Sequence, residues 1–349
     1  MGGFGASRIK GVLAHAAARL APPALVLMYH RVTTAARDPW QLAVTPSHFA
    51  EHLEVVRRAG RPQRFCDLTR ALRAGRAPRR GIVLTLDDGY ADNLLEARPL
   101  LEKHDVLATV FVAAGCLGRS QGFWWDQLEY FLLTPVELPP RLRLVVRGAV
   151  HQHDLGADAR YPLEAQARHA GWRATTAPPT GRHRLFLELY RLLRPLADRE
   201  RRAALGDLAT WSGAPVPAST PARPMSASEV RLLSGGGLVE IGAHTLTHPQ
   251  LSALDRDAQR QEIRGSRVAL QEAVGADVVS FAYPYGARSD YTRESVALVA
   301  EAGFSGACAT VPGAVRRSSD RFELPRFHVE DCDGDGLARR LAQWPGART

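Results

Sequence analysis

The sequence contains almost no lysine. Lys10 and Lys103 are the only lysines among 45 basic residues in 349, so arginine supplies nearly all of the positive charge. The formal net charge is +9 and the isoelectric point is about 9.9. No dense basic run is interleaved with aromatic residues, so the sequence does not predict a nucleic-acid partner. Attraction to an anionic glycan or to a membrane surface stays open.

Cysteine and long apolar runs are also scarce. The four cysteines lie far apart and form no Cys-x-x-Cys pair, which argues against a disulfide framework or a cysteine zinc site. No run of 18 or more apolar residues occurs, so no transmembrane segment is predicted.

The first 23 residues carry a short apolar stretch within SRIKGVLAHAAARLAPP. His15 and Arg19 interrupt this stretch, which is unlike the apolar core of a signal peptide. We therefore expect an amphipathic helix over residues 1–23, and peripheral membrane association is compatible with it. Because this segment is not a persuasive signal peptide, we expect the protein in the cytoplasm or at the cytoplasmic membrane face, while a periplasmic or secreted location stays open.

Apolar strand-like runs alternate with helical patterns along the chain, as is typical of a parallel α/β fold. Strands are predicted at ALVLMYH (24–30), IVLTLDD (82–88), LATVFVA (107–113), LVEIGAH (238–244), VVSFAYP (278–284), FSGACAT (304–310) and FELPRFHV (322–329). Seven strands with short helical crossovers predict an α/β fold of the distorted (β/α)7 barrel type, which is related to the TIM barrel but is one strand short.

The alternation breaks between residues 118 and 223. A hairpin is predicted at LRLVVRGAVHQHDL, and two arginine-rich helices are predicted around HRLFLELYRLLRPLADRERRAALGDLATW. We interpret these roughly 100 residues as an insertion on the third strand–helix loop. The predicted organisation is an N-terminal helix (1–23), a barrel (24–117 and 224–330), an insertion subdomain or cap (118–223) and a C-terminal tail (331–349).

Polar residues follow the ends of four predicted strands. They are Asp87, Asp88 and Gly89 after the second strand, His244 and His248 around HTLTH after the fourth, the YPYG sequence after the fifth, and His30 after the first. Because barrel enzymes collect their active groups at the C-terminal strand ends, we expect these residues to meet at one mouth.

Two imidazoles and one carboxylate suit a divalent metal ion, zinc above all, with cobalt or nickel as alternatives. Adjacent aspartates on a strand would point to opposite faces, but Gly89 allows the backbone to bend so that the two can converge. One carboxylate could then bind the metal while the other accepts a proton from the attacking water.

The motifs TLDDGY, HTLTH and FAYPYG, in this order, resemble those of the polysaccharide deacetylases, carbohydrate esterase group four. The resemblance extends from about Leu25 to Val329, apart from the insertion. It implies that Asp87 is the general base, that Asp88, His244 and His248 bind the metal, and that the backbone N–H of Tyr285 stabilises the oxyanion.

The sequence departs from the family pattern at two motifs. Ala282 occupies the position of an arginine that normally holds the catalytic base, and Arg326 in LPRFH is a candidate replacement. The late LxH motif that carries the catalytic acid is absent from its usual place. LMYH near the N-terminus resembles that motif moved forward, as in the circularly permuted branch that deacetylates poly-N-acetylglucosamine. This order implies His30 as the acid, with His328 as the rival.

The resemblance implies a metal-dependent hydrolase that removes N-acetyl groups from amino sugars of a polysaccharide or a glycolipid-linked glycan. Tyr283, Trp124 and Trp125 are predicted to contact the sugar, although core packing of the two tryptophans is an equal alternative. Two other functions stay open: removal of a formyl or O-acetyl group by the same site, and glycan binding without turnover by a pseudoenzyme, which only Ala282 supports.

Overall fold

The computed structural model describes residues 23–76, 80–215 and 220–344. The helix predicted over residues 1–23 lies outside these ranges except for its last residue. Among the residues described, no helix is both long and apolar enough to cross a bilayer.

The strands of the described chain are mostly short, and those of the central sheet consist largely of buried apolar residues. They are β1 (Leu25–Tyr29), β2 (Arg31–Val32), β3 (Ala43–Val44), β4 (Arg61–Pro62), β5 (Gly81–Leu86), β6 (Ala108–Val112), β7 (Arg141–Val146), β8 (Ala149–Asp154), β9 (Val239–Ala243), β10 (Ser280–Ala282), β11 (Gly306–Cys308) and β12 (Phe327–His328). All residues of β1, β5 and β6 are buried. Burial on both faces explains why these strands appear in the sequence as continuous apolar runs.

The helices lie between the strands and within the insertion. They are α1 (Pro46–Ala59), α2 (Phe65–Arg73), α3 (Arg98–His104), α4 (Trp124–Leu133), α5 (Leu163–His169), α6 (Gly181–Leu193), α7 (Asp198–Ser212), α8 (Ala227–Ser234), α9 (Arg256–Val274), α10 (Arg293–Glu301) and α11 (Gly334–Gln343). Local sequence fixes several ends. The Thr45 side chain caps α1 by accepting the His48 N–H, and α9 ends at Gly275 with a φ of +71°.

The central sheet has the order β11-β10-β9-β6-β5-β1-β12, with β4 paired beside β5, and its strands are parallel. Residues 321–328 join its two ends. The N–H groups of Ala307 and Ala309 donate to the carbonyls of Arg321 (2.8 Å) and Leu324 (2.9 Å), and β12 then pairs with β1. The predicted distorted α/β barrel is confirmed, with its seventh strand divided between two partners.

The segment interpreted as an insertion follows β6 and contains the β7–β8 hairpin and α4 to α7. It has its own hydrophobic core, which includes Phe186 and Leu208 and extends onto the barrel through Tyr90 and Ala113. This shared core holds the insertion against the mouth of the barrel.

The described part of the predicted C-terminal tail, residues 331–344, is largely helical. Asp333 caps α11 by accepting the Gly336 N–H, and Leu337 and Leu341 are buried one turn apart. The helix packs on α1, and the ring of Trp344 stacks on Phe327 at a centroid distance of 4.2 Å. The amphipathic spacing of these two leucines explains why this segment belongs to the barrel core rather than extending from it.

Candidate active site

The strand ends bring the predicted site residues to one cavity of about 400 Å³ at the mouth of the barrel. The predicted residues that line it are His30, Asp87, Asp88, Trp125, His244, His248, Tyr285 and His328. Five different parts of the sheet and one insertion helix therefore contribute to a single pocket, as the barrel topology predicts.

Asp88, His244 and His248 form a compact buried cluster. One ligand atom from each lies within 4.8 Å of the other two, and within the described ranges this is the only such group of three or more residues. Oδ1 of Asp88 is 3.6 Å from Nε2 of His244 and 3.3 Å from Nε2 of His248. The arrangement brings together the three residues that the sequence predicted as metal ligands.

The backbone around the two aspartates is bent sharply. Asp88 has a φ of +76° and Gly89 a φ of +84°, so the chain leaves the extended conformation directly after β5. A Cβ atom at Gly89 would lie 3.0 Å from Cγ1 of Val112. Glycine is therefore required for both conformation and space, and the bend allows both carboxylates to face the cavity.

The histidine loop is held by hydrogen bonds that orient its rings. Nδ1 of His244 donates to the carbonyl of Ala282 at 2.7 Å, which leaves Nε2 facing Asp88. Glu262 accepts the backbone N–H groups of Leu246 (2.8 Å) and Thr247 (2.9 Å). A metal-binding histidine is commonly fixed in this way, by a bond from its second ring nitrogen.

Arg326 holds Asp87 through two hydrogen bonds. Its Nη1 and Nη2 each lie 2.7 Å from a carboxylate oxygen of Asp87, and its Nε donates to the Ala309 carbonyl at 2.9 Å. Both side chains are buried. Burial favours a raised pKa for Asp87, but Arg326 and His244 outweigh it and hold the pKa below its usual value. Asp87 is therefore ionised and fixed in orientation.

The position of Arg326 explains the departure at Ala282. Ala282 is fully buried in a cluster that also contains Phe111, and the Arg326 guanidinium lies over the Phe111 ring at 5.8 Å. The arginine that holds Asp87 therefore reaches this part of the barrel interior from the last strand instead of from β10.

The cluster fits a divalent ion. Burial and the neighbouring Asp87 raise the pKa of Asp88 well above its usual value, and Oδ1 of Asp88 has no hydrogen-bond partner among the described residues. A cation would supply the missing partner and offset the two adjacent buried carboxyl groups. One carboxylate oxygen and two imidazole nitrogens match the donor set of a catalytic zinc site, which keeps further positions for water and substrate.

The two candidate acids lie side by side. The rings of His30 and His328 meet edge-to-face at a centroid distance of 5.8 Å, and both line the cavity. Burial lowers the pKa of His30 to about 3 and also lowers the pKa of His328. In the described chain, Nδ1 of His30 and Nε2 of His328 lack hydrogen-bond partners. Which of the two serves as the acid stays a prediction.

Tyr285 stands at the edge of the cavity in a left-handed backbone conformation, with a φ of +59°. The Thr310 hydroxyl donates to its carbonyl at 2.8 Å, and its ring meets the His248 ring at 4.7 Å. These contacts hold Tyr285, the residue whose backbone N–H was predicted to bind the oxyanion.

Two of the three predicted sugar contacts are not made in this cavity. Tyr283 is fully buried, stacks on Tyr291 at 4.1 Å and donates its hydroxyl to the Phe322 carbonyl at 3.0 Å. Trp124 is also buried and faces a second cavity. The prediction of a sugar contact is therefore corrected for Tyr283, whose ring serves core packing. For Trp124, which lines the second cavity, it stays a prediction.

Trp125 does line the cavity. Its ring lies 4.8 Å from the His248 ring, and its Nε1 donates to the Tyr90 hydroxyl at 2.8 Å. The sequence interpretation missed three neighbours on the same wall. They are Trp40, Tyr190 and Arg194. The last two are four residues apart at the end of α6, so helical spacing was the available signal.

A carboxylate–histidine–histidine cluster beside a second, arginine-held carboxylate has the donor set of a hydrolytic metal site. Residues 209–306 match the family model described as polysaccharide deacetylase, a range that includes the HTLTH and YPYG motifs. This segment is therefore similar to a polysaccharide deacetylase domain, and such domains belong to hydrolases acting on amide bonds of acetylated polysaccharides. No curated protein sequence matches the chain.

Solved structures show a similar fold. The deacetylase PplD of Streptococcus pyogenes, solved in complex with acetate, is 16% identical with a TM-score of 0.55, covering 91% of this chain and 98% of that one. IcaB from Ammonifex degensii is 18% identical with a TM-score of 0.55, covering 91% and 96%. A de-N-acetylase from Aggregatibacter actinomycetemcomitans is 15% identical with a TM-score of 0.52, covering 88% and 95%. At these identities, the likeness establishes the fold.

Proposed function

We propose that the protein is a metal-dependent deacetylase that hydrolyses N-acetyl groups of amino sugars in a polysaccharide or a glycolipid-linked glycan. One observation carries the proposal. The ionised, arginine-held carboxylate of Asp87 lies beside the Asp88–His244–His248 cluster, with 4.0 Å between Oδ2 of Asp87 and Nε2 of His244. A proton acceptor and a set of metal ligands thus share one pocket.

Asp88, His244 and His248 would hold the divalent ion, which supplies Lewis acidity toward the acetyl carbonyl and lowers the pKa of the attacking water. Asp87 accepts the proton of that water. The two hydrogen bonds from Arg326 keep both carboxylate oxygens oriented, so the base does not rotate away from the cavity. Asp87, which follows β5, and Arg326, which directly precedes β12, therefore prepare the nucleophile together.

The later steps use other residues of the same cavity. The backbone N–H of Tyr285 donates to the oxygen that becomes negative as the carbonyl carbon turns tetrahedral. His30, or its neighbour His328, donates a proton to the departing nitrogen, which releases acetate and a free amine. Both imidazoles line the pocket. The ring of Trp125 closes the wall next to His248 and limits the access of water to the reacting groups.

The observation about Arg326 also weighs against the pseudoenzyme alternative. That reading rested on the missing arginine at Ala282, and another arginine makes the expected contact with the base. Formyl and O-acetyl groups would fit the same chemistry, so they belong in the test as competing substrates.

The test is acetate release from N-acetylated oligosaccharides by the metal-depleted protein after addition of Zn²⁺, Co²⁺ or Ni²⁺, with N-formyl and O-acetyl sugars in parallel. We expect Asp87→Asn to lower turnover by about 10²- to 10⁴-fold, as befits a general base. Asp207→Asn, at an exposed position on α7, is the matched control and should leave turnover unchanged. Turnover near the wild-type level in Asp87→Asn would refute the proposed role of this carboxylate.

A further inference from the structure

A second cavity, of about 570 Å³, lies between the barrel and the insertion. Its walls come from the turn after β6, from α4 and α7, and from Thr247 of the histidine loop. Phe123, Phe131 and Leu205 form an apolar part of this wall. The deacetylase mechanism uses none of these side chains.

The charges in the wall are unbalanced. Three arginines, Arg119, Arg201 and Arg202, face a single carboxylate, that of Asp198. Oδ2 of Asp198 lies 3.0 Å from Nε of Arg202 and 3.5 Å from Nη2 of Arg119, while its Oδ1 is 3.9 Å from Nη2 of Arg201. One carboxylate cannot occupy all the donors of three guanidinium groups, so the cavity keeps a surplus of positive charge and N–H donors.

Arg201 is the least expected of the three. Its side chain is 1% exposed, its guanidinium lies 5.3 Å from the Trp124 ring centre, and its Nη2 donates to the Thr247 carbonyl at 3.0 Å. Among the described residues, its Nη1 has no acceptor. A buried guanidinium nitrogen without an acceptor is unfavourable, so the geometry calls for an anionic group close to it.

We propose that this cavity binds an oxyanion, either a carboxylate or a phosphate group, on a small molecule or on a residue of a glycan. Guanidinium forks match the paired oxygens of both groups, and the apolar wall accommodates the uncharged remainder of the ligand. The bound anion would replace the carboxylate of Asp198 at one or more arginines. Because Arg201 also bonds to Thr247 of the histidine loop, only this one residue separates the arginine that would hold the anion from His248.

The experiment measures binding by isothermal titration calorimetry at low ionic strength on the metal-depleted full chain, so its outcome does not depend on deacetylase activity. The probes are inorganic phosphate, glucuronate and, as the neutral comparison, glucose. We expect at least one anion to bind and glucose not to bind. Arg119→Gln combined with Arg202→Gln should weaken anion binding about 100-fold, since each of the two lost charged contacts is worth about one decade. Both positions are solvent-accessible, so this variant should fold.

Two further variants serve as a control outside the cavity and as a substitution that should strengthen binding. Arg199→Gln removes one positive charge from an exposed position on α7 outside the cavity and should leave binding unchanged. Asp198→Asn removes the competing carboxylate and should tighten anion binding severalfold. Binding of phosphate alone or of glucuronate alone would identify the anion and support the proposal. Three outcomes would overturn it: no anion binding, equal affinity in the double arginine variant, or weaker binding in Asp198→Asn.

Discussion

Replacing Arg326 by methionine should affect stability and catalysis together. The substitution keeps most of the side-chain volume but leaves the Asp87 carboxylate buried without its two partners at 2.7 Å. Removing one member of a buried, doubly bonded ion pair costs about 3–5 kcal/mol. We therefore expect the free energy of unfolding at pH 7 to fall by about that amount, measured by urea denaturation. We also expect kcat/KM to fall by about 10²-fold or more, because the base is neither oriented nor kept ionised.

The pH dependence gives this prediction its refutation. In the wild type, the folded-state pKa of Asp87 lies below its usual value, so its stabilising contribution is complete above about pH 4 and is lost as the pH falls through the folded pKa. Without Arg326, burial dominates and raises that pKa, so the variant should lose stability at neutral pH and recover part of it on acidification. The difference between the proteins should therefore shrink toward acid pH. A difference that is constant with pH, or unchanged turnover, would show that Arg326 does not hold the base.

Three other substitutions test the site and its frame. Gly89→Ala should destabilise the fold by about 2 kcal/mol or more, because its Cβ would meet Val112 at 3.0 Å. Its control, Gly118→Ala, is also at positive φ but has no atom within 4 Å of the added Cβ, and should cost about 1 kcal/mol. Equal unfolding midpoints for the two variants would refute the steric argument. Asp88→Asn should weaken zinc binding about 100-fold or more, read from metal content after dialysis; full metal content would remove Asp88 from the ligand set. Tyr283→Phe should cost about 1 kcal/mol in stability and leave kcat/KM unchanged, since its hydroxyl bonds only to a backbone carbonyl in the described chain; an altered KM would restore it as a substrate contact.

The barrel strands could be predicted because they are buried on both faces. β1 is an uninterrupted apolar run, β5 is interrupted only by Thr85, and no competing helical pattern obscures them. The strand ends then located the ligand set, because the topology alone brings C-terminal ends to one mouth. The contact between Arg326 and Asp87 could only be a hypothesis, because the two residues are 239 positions apart in the sequence and no local pattern connects them.

Side-chain orientations and contacts between distant segments could not be predicted from the sequence pattern. Tyr283 follows the short strand β10, and which way its ring points is decided by the pleat and by the space beside Tyr291. The rings of Trp40 and Tyr190 are in contact, with a centroid distance of 4.0 Å, although one residue precedes the insertion and the other lies inside it. Only the folded insertion brings them together at the cavity. The helix α11 is different, because its cap and apolar spacing were present in the sequence.

The segment from residue 321 to residue 328 both closes the barrel and contributes residues to the candidate site. It seals the seam of the barrel, with the Arg326 N–H donating to the Val311 carbonyl at 3.0 Å, and it delivers Arg326 and His328 to the reacting groups. A molecule whose seam has opened locally would lose the partner of its base and an imidazole in the same event. Catalysis thus requires an intact ring of strands, so a molecule in which this segment has unfolded locally should be inactive.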